Sequence, residues 1–140
     1  MITDGMMSSK TNEWSTPNDL FSDLDLLFGF TLDPCCTHEN AKCKKYFTKE
    51  DNGLIQDWSK DIVFMNPPYG REIGKWMKKA YESYLAGATV VCLIPSRTDT
   101  RYWHDYAMKG KITFIKGRLY FGDGTGPAPF PSVIITFEHK

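Results

Sequence analysis

Asn66-Pro67-Pro68-Tyr69 follows directly on four apolar residues, 62–65, that read as a buried strand. Two prolines continue a strand poorly and suit a helix interior no better, because each lacks a backbone N–H. What the segment offers is chemistry. The Asn66 side-chain oxygen and the Pro67 carbonyl are two acceptors with little competing donor capacity beside them. The prolines fix two backbone angles and hold those acceptors still, and Tyr69 adds a flat ring. A planar amine that donates two hydrogen bonds and stacks on a ring fits the set. The exocyclic amine of adenine is such a group, and its delocalised lone pair makes it a poor nucleophile. Two acceptors on its N–H bonds draw the nitrogen toward tetrahedral geometry and offset the positive charge that develops as it attacks. That is transition-state electrostatics, with no covalent enzyme intermediate. The competing readings, an ordinary turn or a polyproline ligand, do not account for the buried strand before the motif or for Gly70 after it.

A strand must end where Asn66 stands, and others must end beside it. Residues 30–33, "FTLD", read as a short strand ending at Asp33. Residues 88–94, "ATVVCLI", form a continuous apolar run, as expected of a central parallel strand covered on both faces. A further short strand is expected near 45–48, and two more at 111–117 and 132–138. Between them run helical patterns. In the first helix Thr16 is the expected N-cap and Pro17 the first helical residue. Leu20, Phe21, Leu24, Leu27 and Phe28 recur at helical spacing, and Gly29 is the stop. A second helix is expected over 71–86, with Ile73, Trp76, Met77, Ala80, Tyr84 and Leu85 on its apolar side, and a shorter one over 99–109. The alternation implies an α/β fold, a mostly parallel sheet with a closing antiparallel hairpin. Ligands of such sheets bind beyond the carboxyl ends of the strands, so Asp33, Asn66 and residues 95–97 should converge on one edge.

The chain has 140 residues, 41% hydrophobic and 14% aromatic, which fits one cored domain over 13–140 behind a polar flexible leader at 1–12. Seventeen Lys and Arg balance seventeen Asp and Glu. Zero net charge argues against coating nucleic acid by bulk charge and leaves room for a local basic face. No apolar run reaches the ~18–20 residues of a membrane span, and the N-terminus lacks the apolar stretch of a signal peptide. A cytosolic setting follows, in which Cys35, Cys36, Cys43 and Cys92 are expected as thiols. Cys35, Cys36, His38 and Cys43 have two readings, a zinc-stabilised cluster or small residues packed after a strand. The usual Cys-x-x-Cys spacing is absent, and no metal is expected.

Asn66-Pro67-Pro68-Tyr69 after an apolar strand resembles the catalytic motif of amino-group methyltransferases that use S-adenosylmethionine. More of the chain resembles the phage-type DNA adenine-N6 methyltransferase (Dam-like) family. The segments are "WSTP" at 14–17, "FTLDPCCTHENAKCKKYFT" at 30–48, "DNGLIQDW" at 51–58, "VFMNPPYG" at 63–70, "IPSRTDTRYWHDY" at 94–106 and "APFPSVIITF" at 128–137. The resemblance implies a Rossmann-like methyltransferase fold without a separate target-recognition domain, S-adenosylmethionine as cofactor, double-stranded DNA as partner, and the cytoplasm of a bacterial host as setting. It implies catalytic roles for Asn66, Pro67, Pro68 and Tyr69, with Tyr69 stacking on a flipped-out adenine. Ser15, Thr16 and Pro17, at a helix N-terminus suited to anions, match the segment that meets the cofactor carboxylate. Asp33 matches the residue near its amino group. Asp57, ranked before Asp51, is assigned to ribose hydroxyls or the cofactor adenine, with Trp58 or Ile55 as a wall.

The pattern departs from the family in one place. Asp33 is followed by residues 34–39, "PCCTHE", where a Gly-x-Gly turn is usual. A short chain must read DNA with loops, expected at 97–104 and 117–131. Arg97, Arg101 and Arg118 are the DNA-contacting residues, and Tyr120, Phe121 and Phe130 either wedge into DNA or form a lid over the cofactor. The family makes GATC the expected site. Methyl transfer to RNA or to protein glutamine, and a non-catalytic cofactor- or DNA-binding module, are the competing functions.

Overall fold

The fold was obtained as a computed structural model that describes residues 14–122 and 126–140. The leader expected at 1–12 and residues 123–125 of the Gly/Pro-rich loop lie outside the described residues. Six strands form one sheet: β1 (Leu32–Asp33), β2 (Lys45–Tyr46), β3 (Ile62–Met65), β4 (Thr89–Pro95), β5 (Lys111–Phe114) and β6 (Ser132–Phe137). Their order is β2-β1-β3-β4-β6-β5. The β2/β1, β1/β3 and β3/β4 pairs are parallel, and β4/β6 and β6/β5 are antiparallel. This is the expected mostly parallel sheet with a closing hairpin, the last strand in sequence entering between β4 and β5.

The helices are α1 (Asn18–Phe28), α2 (Ile73–Leu85) and α3 (Arg101–Asp105). Sheet register decides which face each of the first two covers. Val63, Val90 and Phe137 are cross-strand neighbours and share one face; Phe64, Val91 and Thr136 share the other. Phe21 of α1 meets Phe64 edge to face at 5.2 Å, while Tyr81 and Tyr84 of α2 lie 5.7 and 5.8 Å from Phe137. The two helices therefore cover opposite faces. β4 and β6 are enclosed on both sides, which is why their sequences are nearly continuous apolar runs.

Four local expectations are corrected. α1 starts at Asn18 with Pro17 as N-cap, which places Thr16 one residue outside the capping position; its hydroxyl oxygen is engaged elsewhere, as described below. Leu27 is 78% exposed: α1 meets the sheet along the Phe21, Leu24 and Phe28 stripe, which turns Leu27 outward. Leu85, in the last turn of α2, is likewise exposed. The helix expected over 99–109 is broken at Tyr106, and a 3-10 turn at Ala107–Lys109 completes it. Gly29 does end α1: its φ of 69° is left-handed, and its N–H donates to Asp25 O at 2.8 Å.

Candidate active site

A cleft of about 810 Å³ opens beyond the carboxyl ends of β1 and β3. Asp33 and Asn66 line it, together with Ser15, Thr16, Pro67 and Pro68. Residues 95–97, expected at the same edge, do not. Ser96 N donates to Pro131 O at 3.0 Å, and the Arg97 guanidinium sits 5.7 Å over the Phe130 ring, so this segment faces the 117–131 loop.

Asn66 is held by its nitrogen. Nδ2 donates to the Trp14 carbonyl and to Thr16 Oγ1, the latter at 2.9 Å. Swapping the amide's two ends would bring its oxygen against the Trp14 carbonyl, so the orientation is dictated. Oδ1 is buried and has no hydrogen-bond partner among the described residues. An orphaned buried acceptor of this kind is uncommon and calls for an explanation. It sits on a residue that lines the cleft.

The prolines and Tyr69 complete the strand ending. The β3–β4 register ends at Met65 and Cys92, and the Tyr69 hydroxyl donates to the next carbonyl along β4, Leu93 O, at 3.1 Å. Tyr69 is only 2% exposed, and its ring packs edge to face against Phe121 and Phe130 at 6.3 and 5.6 Å. Burial raises its phenol pKa well above the ordinary value. The structure therefore keeps Tyr69 out of the cleft and covers the ring expected to receive a base. Trp14 closes the same cluster, 5.6 Å from Phe121 and 5.2 Å from Phe130. Of the loop's aromatic residues, Phe121 and Phe130 are packed inward and Tyr120 is exposed.

Asp33 is 4% exposed. Its Oδ2 accepts from Lys42 N at 3.0 Å and its Oδ1 from Cys35 N at 3.4 Å, so one carboxylate pins both ends of the glycine-free turn. Burial lifts its pKa from 3.8 to about 6 against those bonds. Cys35 Sγ donates to Asn66 O at 3.3 Å and ties the turn to the strand ending beside it. A Cβ on Gly53 would lie 2.1 Å from Pro34 O, so only glycine lets the 53–55 turn pack on the residue after Asp33.

The other acidic candidates separate. Asp51 Oδ2 accepts from Thr48 N at 2.9 Å and closes a turn; it is not among the lining residues, whereas its neighbours Glu50 and Asn52 are. Asp57 accepts from Ser59 N at 2.8 Å, which lowers its pKa, and lies in a separate shallow depression with Lys79 and Glu82. Ile55 is exposed. Trp58 is buried, donates Nε1–H to Gly53 O at 2.9 Å, and stacks at 6.2 Å behind Trp76. Trp76 and Leu54 are the apolar residues that reach the cleft there. Sequence reasoning missed Glu50, Leu54 and Lys42, and read Trp76 as core. The position of Glu50 four residues after β2, on the same parallel edge as Asp33, was the available signal for it.

Arg97 and Arg101 are exposed, and so is Arg118, whose Nη1 donates to Ala128 O at 3.4 Å; none of the three lines the cleft. Lys45 is spent on an ion pair with Asp61 at 2.7 Å. All four cysteines are free, and among the described residues no group of three or more His, Cys, Asp or Glu side chains is arranged to hold a metal ion. His38 Nδ1 instead meets the Tyr46 hydroxyl at 2.7 Å. Among the described residues no helix is long and apolar enough to cross a membrane.

The family model for DNA N-6-adenine-methyltransferase (Dam) matches residues 5–131. The chain is 29% identical to the DNA N-6-adenine-methyltransferase of Haemophilus phage HP1, covering all of this chain and 86% of the phage protein. It is 28% identical to the DNA N-6-adenine-methyltransferase of Escherichia phage T1, over 74% of this chain and 54% of that protein. It is 45% identical to the putative methyltransferase YfdM of Escherichia coli K12, over 41% of this chain and 71% of that protein. With a match spanning both the Asp33 turn and the Asn66 strand ending, the chain belongs to the DNA N-6-adenine-methyltransferase (Dam) family.

Proposed function

We propose that the chain transfers a methyl group from S-adenosylmethionine to the N6 amine of an adenine flipped out of double-stranded DNA. The observation that carries this reading is the orphaned Oδ1 of Asn66, a buried acceptor fixed at the cleft wall by two bonds from its own nitrogen. Together with the Pro67 carbonyl it accepts the two N6 protons, which raises electron density on the attacking nitrogen. An amine paired inside a duplex cannot reach this recess, so the base has to leave the stack. Tyr69 holds the clamp to β4; a base stacks on its ring only when Phe121 and Phe130 withdraw.

The donor set of the cleft fits the cofactor. A volume of about 810 Å³ accommodates a nucleoside with an amino-acid tail. Asp33 suits the tail's ammonium group. Ser15 and Thr16, just before the N-terminus of α1, and the Lys42 side chain suit its carboxylate. Glu50 takes the ribose hydroxyls, in place of Asp57 and Asp51, and Trp76 and Leu54 bracket the cofactor's own adenine. When bound, S-adenosylmethionine supplies an electrophilic methyl group. Arg97, Arg101 and Arg118 supply local positive charge for phosphate contacts on a chain whose net charge is zero, and GATC is the proposed site.

Asn66→Ala tests the reading. Purified protein, labelled S-adenosylmethionine and a GATC-containing duplex should show methylation that falls by about 10²–10³ in the variant, with cofactor affinity within about threefold by calorimetry. Undiminished turnover of Asn66→Ala would falsify the assignment. Wild-type turnover on a duplex lacking GATC, equal to that on GATC, would remove only the site preference.

A further inference from the structure

We infer that Thr16 is a positioning residue for the catalytic amide, a role separate from the cofactor-carboxylate contact implied for its segment. The inference rests on the proposed role of Asn66. Thr16 is 6% exposed and is displaced from the capping position that its type and place in the sequence predict. Its hydroxyl oxygen accepts instead from Asn66 Nδ2 at 2.9 Å, across fifty residues of sequence. The second Nδ2 proton goes to the Trp14 carbonyl, two residues away. Both protons of the amide are thus taken by one short segment, 14–16.

That arrangement has two chemical consequences. With both N–H bonds donated, the amide cannot rotate, so Oδ1 stays aimed without a partner of its own. Donation from Nδ2 also polarises the amide and makes Oδ1 a better acceptor. The same segment lines the cleft through Trp14, Ser15 and Thr16. It is tied further by Ser15 Oγ, which accepts from Asn40 Nδ2 at 3.1 Å, and by Ser15 O, which accepts from Gly122 N at 2.9 Å. Occupancy of the cleft and aim of the amide therefore act through one stretch of backbone.

The test compares Thr16→Val, which keeps the shape and loses the acceptor, with Thr16→Ser, which keeps the acceptor. Single-turnover methylation of a duplex is measured at saturating S-adenosylmethionine, and cofactor affinity separately by calorimetry. Thr16→Val should slow the methyl-transfer step tenfold or more at saturating cofactor, whatever its effect on cofactor affinity, and Thr16→Ser should recover the rate to within threefold of the wild type. A Thr16→Val rate that matches wild type once cofactor saturates would overturn the inference and leave Thr16 as a cofactor contact. If Thr16→Val melts before assay, the saturated rates of Thr16→Ser and Thr16→Ala decide in its place, equal rates overturning the inference. Asn66→Ala separates the two readings. An inactive Asn66→Ala beside an unimpaired Thr16→Val removes only the role of Thr16, whereas an active Asn66→Ala removes the functional assignment as well.

Discussion

The two sides of Asn66 are built by opposite rules. On one side lies an open polar cleft, with a carboxylate held at an elevated pKa, an unpartnered acceptor, two lysines and two glutamates. On the other lies a dry cluster in which Tyr69 and Trp14, the latter also reaching the cleft, each pack edge to face against Phe121 and Phe130. The cleft keeps its polar groups at the expense of stability, as a preformed binding site must. The aromatic side satisfies itself and draws its stability from that packing. Cofactor binding should therefore meet a ready site, while base capture should have to displace packed side chains.

Substitutions on the two sides should separate affinity from stability. The largest effect is expected on the dry side. Phe121→Ala removes a buried ring that contacts three others and should cost about 3 kcal/mol in chemical denaturation, with S-adenosylmethionine affinity within about twofold. A comparable loss of affinity would mean the two sides are one unit. Gly53→Ala probes the junction. Its methyl meets Pro34 O at a distance no relaxed structure tolerates, so a loss of about 2 kcal/mol with weakened cofactor binding is expected.

Asp33 gives the polar side its pH signature. Burial raises its pKa, so the buried charge opposes folding, and the unliganded protein should lose stability as pH rises from about 4 to about 6. In the proposed function the cofactor ammonium pairs with Asp33, which needs the ionised form. Affinity should therefore fall roughly tenfold per pH unit below about 6 and level off above it. Calorimetry from about pH 4.5 to about pH 7.5 checks the slope, and Asp33→Asn should bind weakly with the slope abolished. Tyr69→Phe leaves the Leu93 carbonyl without its donor and should cost about 1 kcal/mol with cofactor affinity unchanged. Asp57→Ala, outside the cleft, should leave cofactor affinity unchanged.

Much of this molecule was legible before any coordinates. The apolar runs located β3, β4 and β6, and helical spacing located α1 and α2, because burial on one or both faces leaves a periodic record. Asn66 and Asp33 were legible because the first immediately follows a strand and the second ends one, and an open α/β sheet collects its ligands there. The fate of the residues around them was less so. Asp51 and Glu50 are adjacent acids in a loop, and no periodicity distinguishes the one that closes a turn from the one that faces the cleft. Trp76 lies at a core position of α2, and nothing in its spacing records that the same ring also reaches the cleft.

By itself the sequence determined the strand and helix pattern, the rigid acceptor motif after β3 and the family. Tertiary structure alone decided that Tyr69 is buried, that Thr16 grips Asn66 in place of capping α1, and that the 53–55 turn packs on Pro34 where only glycine fits. The physical reason is common to the three. Each outcome is a contact between segments far apart in the chain, Tyr69 with Leu93, Thr16 with Asn66 and Gly53 with Pro34, and such contacts are selected by sheet order and packing rather than by local spacing.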